Sequence, residues 1–151
     1  MSSRVFCWDT TAFIAVFNGG IHRTADEVSG LREVMDMVDR RQARIITSEI
    51  IIAEVLDDKT KLNELMMRRE FQMISIAGPI LRKVGQLRDA ARQDGGRSLK
   101  IPDASFIAVA LAYGAEALHT FDGGVLAMSG RPCVDGLAIC KPSGEQMTLA
   151  L

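Results

Sequence analysis

Four acidic residues stand where a carboxylate can do chemistry: Asp9, Glu54, Asp103 and Asp122. Asp9 and Asp122 close short apolar runs that read as strands, over residues 4–8 and 117–121. Asp103 follows Pro102 at the start of the most apolar helical stretch, and Glu54 falls in the second turn of a helix predicted over 49–57. In an open parallel α/β sheet, ligands bind outside the carboxyl ends of the strands. Four acids from distant parts of the chain can therefore meet at one sheet edge. Carboxylates gathered in a dry site repel one another, and a hard divalent cation relieves that cost. Mg²⁺ and Mn²⁺ take oxygen ligands, and Mg²⁺ keeps several waters. Such a cation stabilises charge on a phosphate and lowers the pKa of water.

Each acid also has a structural reading. Asp9 and Asp103 can cap helices, because Asp accepts N–H bonds from a first turn. Asp122, before Gly123 and Gly124, can be a turn residue. Glu54 shares a helix face with Ile50 and Ile51, and a buried carboxylate needs a cation, a donor or a proton. Glu49 reads as a partner of the helix dipole and Asp57 as a solvated helix end. His22 and His119 are far apart and read as surface or packing residues. No GxGxxG, GxxxxGK[ST] or GxSxG motif occurs.

The elements that must position these acids follow from periodicity. Strands are expected at 4–8, 43–47, 71–76, 117–121 and, more weakly, 137–140. Helices are expected over 12–17, entered through Asp9-Thr10-Thr11, over 24–41 with Val28, Leu31, Met35 and Val38 on one stripe, over 49–57, over 59–69, from Pro79 with Leu81, Val84, Leu87 and Ala91 on one face, and over 104–113. Ser48 can cap the third of these. Strands alternating with helices predict a parallel five-stranded sheet covered on both faces, in a single α/β domain over 1–151.

Composition agrees. The chain has 151 residues, 48% apolar and 25% charged, which is globular composition. Lys plus Arg number 18 against 19 for Asp plus Glu, so a blanket basic coat for nucleic acid is excluded while a local patch is not. Three cysteines without CxxC spacing argue against a disulfide framework or a zinc site; Cys7 and Cys140 read as small hydrophobes. No leader-like segment or run of membrane-spanning length occurs, so a reducing cytoplasm and no membrane are expected.

Taken in order, Asp9-Thr10 after the first strand, Ser48 with Glu54-Val55-Leu56, Pro102-Asp103-Ala104, and Thr120-Phe121-Asp122 resemble a PIN-domain ribonuclease of the VapC toxin type, over nearly the whole chain. The resemblance implies a five-stranded parallel sheet and an acidic pocket that binds Mg²⁺ or Mn²⁺. It implies that Asp9, Glu54, Asp103 and Asp122 are the four acids, with Thr10 and Thr120 as supporting hydroxyls. The implied activity is cleavage of single-stranded RNA to a 5′-phosphate and a 3′-hydroxyl. Gly123-Gly124 departs from the polar-then-bulky pair that many members carry after the last acid.

Two other classes compete. A phosphoaspartate receiver shares the strand-end acids and a Lys141-Pro142 ending, but it needs an Asp after strand three, where Ile76-Ala77-Gly78-Pro79 stands. A non-catalytic PIN-like binding module is expected to lack one or more acids, and all four are present. A housekeeping RNA-processing nuclease remains the alternative to a toxin; the compact length favours the toxin. Arg97 and Lys100, just before Asp103, are the candidate RNA phosphate contacts, and Arg40, Arg41, Arg44, Arg68 and Arg69 form more distant clusters. The implied partners are a second copy of the chain, as a homodimer, and a cognate antitoxin. The antitoxin would offer an Arg or Lys to the pocket and dock on apolar residues such as Ile51, Ile52, Leu62, Leu65 and Met66.

Overall fold

The computed structural model describes residues 3–145. Strands β1 (Arg4–Trp8), β2 (Ala43–Ser48), β3 (Phe71–Ile74), β4 (Ala117–His119) and β5 (Ile139–Cys140) form one sheet in the order β3-β2-β1-β4-β5. Every neighbouring pair is parallel. Strands buried on both faces are read as continuous apolar runs, which is why β1 carries Val-Phe-Cys-Trp without alternation. The chain lays β2 and β3 on one side of β1 and then crosses to place β4 and β5 on the other. The strand order therefore reverses between β1 and β4, and a crevice opens at their carboxyl ends.

The helices are α1 (Thr10–Phe17), α2 (Ala25–Asp39), α3 (Ile51–Glu54), α4 (Lys59–Met66), α5 (Pro79–Gln93), α6 (Ile101–Ala112) and α7 (Gly123–Leu126). On one face of the sheet Trp8 meets Phe13 of α1 edge-on at 5.2 Å and Phe71 of β3 at 6.3 Å. On the other face Cys7 donates its thiol to the Phe106 carbonyl of α6 at 3.5 Å. Helix α6 is buried without a break from Ala104 to Ala110, between the sheet and α5. That position explains its apolar sequence, since a helix covered all round has no polar face.

Helix α2 opens with a reciprocal capping box, Glu27 N–H to Thr24 Oγ1 at 3.2 Å and Thr24 N–H to Glu27 Oε1 at 2.9 Å. It closes with a Schellman motif: Arg41 N–H bonds the Val38 carbonyl at 3.0 Å, and Gln42 N–H bonds the Met37 carbonyl at 2.8 Å. Arg41 holds φ 60°, where glycine is usual and a side chain costs about 1–2 kcal/mol.

Three expectations change. The helix expected over 49–57 shrinks to Ile51–Glu54 because Glu49 remains tied to β3. Its carboxylate accepts from Ser75 Oγ at 3.2 Å and Ile76 N–H at 3.0 Å, so it is a strand clasp and not a dipole partner. Ser48 Oγ accepts from Ile50 N–H at 3.2 Å, one residue short of the helix. Leu81, expected on the buried face of α5, is exposed, and Ile80 turns to the core instead. The fourth strand stops at His119 because Phe121 N–H leaves the ladder for Thr11 Oγ1 at 2.8 Å. Among the described residues no helix is long and apolar enough to cross a membrane.

Candidate active site

Asp9 leaves β1 at the crevice, one residue past Trp8. It is only 3% exposed and is fully partnered. Its Oδ1 accepts from Ala12 N–H at 3.2 Å, capping α1, and from Thr11 Oγ1 at 2.6 Å. Its Oδ2 accepts from Thr120 Oγ1 across 111 residues of sequence. Burial pushes its carboxyl above the ordinary range, and the bonds from Thr11, Thr120 and Ala12 pull it back.

Glu54, the last residue of α3, is half-buried and accepts from Thr10 Oγ1 at 2.6 Å. Asp122 is exposed at the start of α7, where its Oδ1 caps Val125 N–H at 3.0 Å. Its own N–H bonds Thr120 Oγ1 at 3.0 Å. A Cβ on Gly123 would meet nothing within 4 Å, whereas at Gly124 a Cβ would stand 3.2 Å from Asp122 Oδ1. A side chain there would crowd the carboxylate.

Asp103 does not cap its helix. The cap is Lys100, and Asp103 lies in the first turn of α6 with no hydrogen bond to its carboxyl among the described residues. Its pKa is raised from 3.8 to about 6, first by burial and then by the charges of Asp122, Asp9 and Glu54, with Lys100 opposing. The acids from four separate segments thus lie within one another's field.

The two supporting hydroxyls sit as expected, Thr10 on Glu54 and Thr120 on Asp9 and Asp122. Sequence reasoning missed Thr11, whose hydroxyl donates to Asp9, accepts from Phe121 N–H and lies 3.3 Å from Thr120 Oγ1. The consecutive pair Thr10-Thr11 was the available signal. It also missed Arg23, whose guanidinium stacks 4.5 Å from the centre of the Phe121 ring, next in sequence to Asp122. Of the candidate phosphate contacts, Lys100 is exposed and its charge reaches Asp103. Arg97 pairs instead with Asp94 at 3.3 Å, on a carboxylate that also holds Arg131 at 2.8 Å.

His119 is a packing residue. It is buried, stacks on Phe6 at 4.5 Å and accepts at Nδ1 from Trp8 Nε1 at 3.0 Å. Its pKa falls from 6.5 to about 3, through burial and then the charge of Arg4.

The donors at the crevice are all oxygen, which suits a hard divalent cation. Among the described residues no three acidic, histidine or cysteine side chains close into a direct ligand set. A cation that keeps several of its own waters, as Mg²⁺ does, needs few protein ligands.

Comparison with known proteins agrees with this geometry. The family model of the PIN domain matches residues 6–129. None of the curated proteins matches the chain. Among solved structures, VapBC2 from Rickettsia felis, bound to a promoter DNA fragment, is similar with a TM-score of 0.63 at 16% identity, over 89% of this chain and 96% of that one. FitAcB from Neisseria gonorrhoeae is similar with a TM-score of 0.61 at 18% identity, over 91% and 97%. VapC20 from Mycobacterium tuberculosis, described as a Sarcin-Ricin loop cleaving toxin, has a TM-score of 0.58 at 17% identity, over 81% and 93%. At these identities the likeness is one of fold.

Proposed function

The chain belongs to the PIN-domain family, and from that premise we propose that it is a Mg²⁺- or Mn²⁺-dependent endoribonuclease acting on single-stranded RNA, the toxin of a toxin–antitoxin pair. The observation that carries the reading is Asp103, whose carboxyl forms no hydrogen bond among the described residues and sits in the field of Asp9, Glu54 and Asp122. Lys100 offsets that field only in part, and a bound divalent cation would offset the rest.

A bound divalent cation supplies charge neutralisation on the scissile phosphate and a lower pKa for the attacking water. The chain's own residues do the positioning. Asp9 is fixed in one orientation by Thr11, Thr120 and Ala12 N–H, and Glu54 by Thr10. Asp122 is oriented by its cap on α7. Lys100 and Arg23 flank the acids and serve the phosphates on either side of the cut. Arg97, held by Asp94, keeps the segment before α6 in place.

The toxin reading draws on the fold neighbours, among them the VapBC2 and FitAB complexes. It also draws on an apolar surface that the core does not use. Of the residues expected for antitoxin docking, Ile51 and Leu62 are buried in the core, whereas Ile52 is 51% exposed. Leu56, which follows α3, is 75% exposed, and Leu65 and Met66 are partly buried against the core. An antitoxin helix or strand covering Ile52 and Leu56 would bring a basic residue to the acids. A single PIN domain spanning the chain, a homodimer and a cytoplasmic site of action belong to the same reading.

The test is cleavage of labelled single-stranded RNA by the wild type and Asp9→Asn, with Mn²⁺ and with EDTA. Cleavage is expected only for the wild type with metal. Metal-independent cleavage, or full activity of Asp9→Asn, overturns the proposal. Growth arrest on expression that needs Asp9 and is relieved by a neighbouring small gene product separates the toxin from a housekeeping nuclease.

A further inference from the structure

We propose that a cleft at the amino-terminal edge of the sheet, lined by Arg41, Arg44 and Arg69, is a second anchoring site for the phosphate backbone of RNA. It would hold the part of a long strand that lies away from the cut. The inference rests on the reading that RNA is the substrate.

The cleft has a volume of about 190 Å³ and is lined by Ser3, Arg41, Ala43, Arg44, Arg69 and Glu70. These residues lie where β1, β2 and β3 begin, whereas the acids lie where the strands end. A strand of five residues separates the two sites by roughly 17 Å.

Charge bookkeeping singles the cleft out. Arg68 spans Asp39 at 2.8 Å and Glu70 at 3.1 Å, so the carboxylate in the wall of the cleft is already taken. Arg40 pairs with Asp36 at 3.1 Å. Arg41, Arg44 and Arg69 are exposed and form no ion pair among the described residues. In a chain with net charge −1, three guanidiniums around one depression, facing a single carboxylate, Glu70, that Arg68 already holds and that also feels Arg41, are a local excess of positive charge. Arg41 occupies the left-handed position of the Schellman turn after α2, which glycine adopts freely and a branched-out side chain does not. Asp135 shares that conformation, and its carboxylate pairs with Lys83, so both left-handed side chains face charge partners or solvent at the surface.

The chemistry of the lining selects the ligand. Guanidiniums fork onto phosphate oxygens, and nothing aromatic lines the cleft on which a base can stack. Contacts of this sort track a backbone and read no sequence. An oligonucleotide too short to cover both sites does not reach the arginines.

The binding test uses the full chain in EDTA, so that nothing is cut, with fluorescently labelled RNAs of about 30 and about 3 nucleotides over a salt series. Arg44→Gln/Arg69→Gln is expected to weaken binding of the longer RNA roughly 5- to 10-fold and to reduce its log–log salt slope by about 1.4, near 0.7 per phosphate contact. Cleavage of the short RNA in Mn²⁺ should not change, because a strand of that length lying at the acids does not reach the arginines. Arg41→Gly is expected to weaken binding of the longer RNA while raising the melting temperature by a few degrees, which excludes misfolding as the cause. Wild-type affinity and slope in all these variants overturn the proposal, as does an equal loss of cleavage on both RNAs. Tighter arginine-dependent binding of duplex DNA than of RNA overturns the choice of ligand. Arginine-dependent binding without any cleavage by the wild type sinks the nuclease reading and leaves the cleft standing; cleavage with arginine-independent binding does the reverse.

Discussion

Neutralising Asp103 should make the metal-free protein more stable. Its carboxyl is raised from 3.8 to about 6 by burial and by three neighbouring acids. A pKa unit corresponds to 1.36 kcal/mol, so the full shift corresponds to about 3 kcal/mol of strain in the ionised form. Asp103 is half-buried, and solvent and salt screening reduce that to about 1.5 kcal/mol. Asp103→Asn also gives up a favourable charge in the first turn of α6, about 0.5 kcal/mol. The net gain is about 1 kcal/mol, or roughly 2–4 °C in Tm for a domain of this size. The sign with pH follows from linkage. The folded state holds this proton more tightly than the unfolded chain, so stability is present below about pH 4 and is lost as pH rises through 6. Thermal melts in EDTA should therefore show the gain of Asp103→Asn at pH 7.5 and its disappearance toward pH 4.5. Mg²⁺ or Mn²⁺ should raise the wild-type Tm, by about 3 kcal/mol equivalent at a hundredfold excess over Kd, and the variant's much less. A lower Tm for Asp103→Asn in EDTA at pH 7.5, or a gain that does not change with pH, refutes the argument.

Two further outcomes follow from named contacts. His119 is held neutral with a pKa near 3, so the unfolded chain takes up a proton below 6.5 that the folded state refuses. The wild type should lose about 2 kcal/mol between pH 7.5 and pH 5 relative to His119→Gln in urea unfolding, and parallel pH profiles would count against it. Asp122→Asn keeps the cap on Val125 N–H and should leave Tm unchanged or higher, whereas Asp122→Ala should cost about 1 kcal/mol; both should lose RNA cleavage.

The strand-end acids were legible because a parallel sheet announces itself in continuous apolar runs, and the residue that ends such a run stands at the ligand-binding edge. Asp9 and Asp122 were found that way. What local pattern does not carry is pairing across the crevice. Thr11 and Thr120, 109 residues apart, meet only because β1 and β4 are neighbours at the switch point. Arg97 and Lys100 look alike in sequence, yet Asp94 claims one and leaves the other beside Asp103. The short α3 was misjudged for a similar reason: Glu49 is a good first-turn residue that β3 holds in another role.

Capping and chemistry, which compete as readings of a single Asp in the sequence, coexist in the structure because a carboxylate has two oxygens. Asp9 caps α1 with Oδ1 and is held through Oδ2 by Thr120. Asp122 caps α7 with Oδ1, and among the described residues its Oδ2 accepts no hydrogen bond. The cap thus fixes the direction in which the remaining charge points. Asp103 has no such bond and takes the repulsion of the set, which is why its carboxyl is the one displaced to about 6. In this site the acids bound to helix ends are fixed in orientation, and the acid left unbound carries the repulsion of the set, which is the charge that the proposed cation would offset.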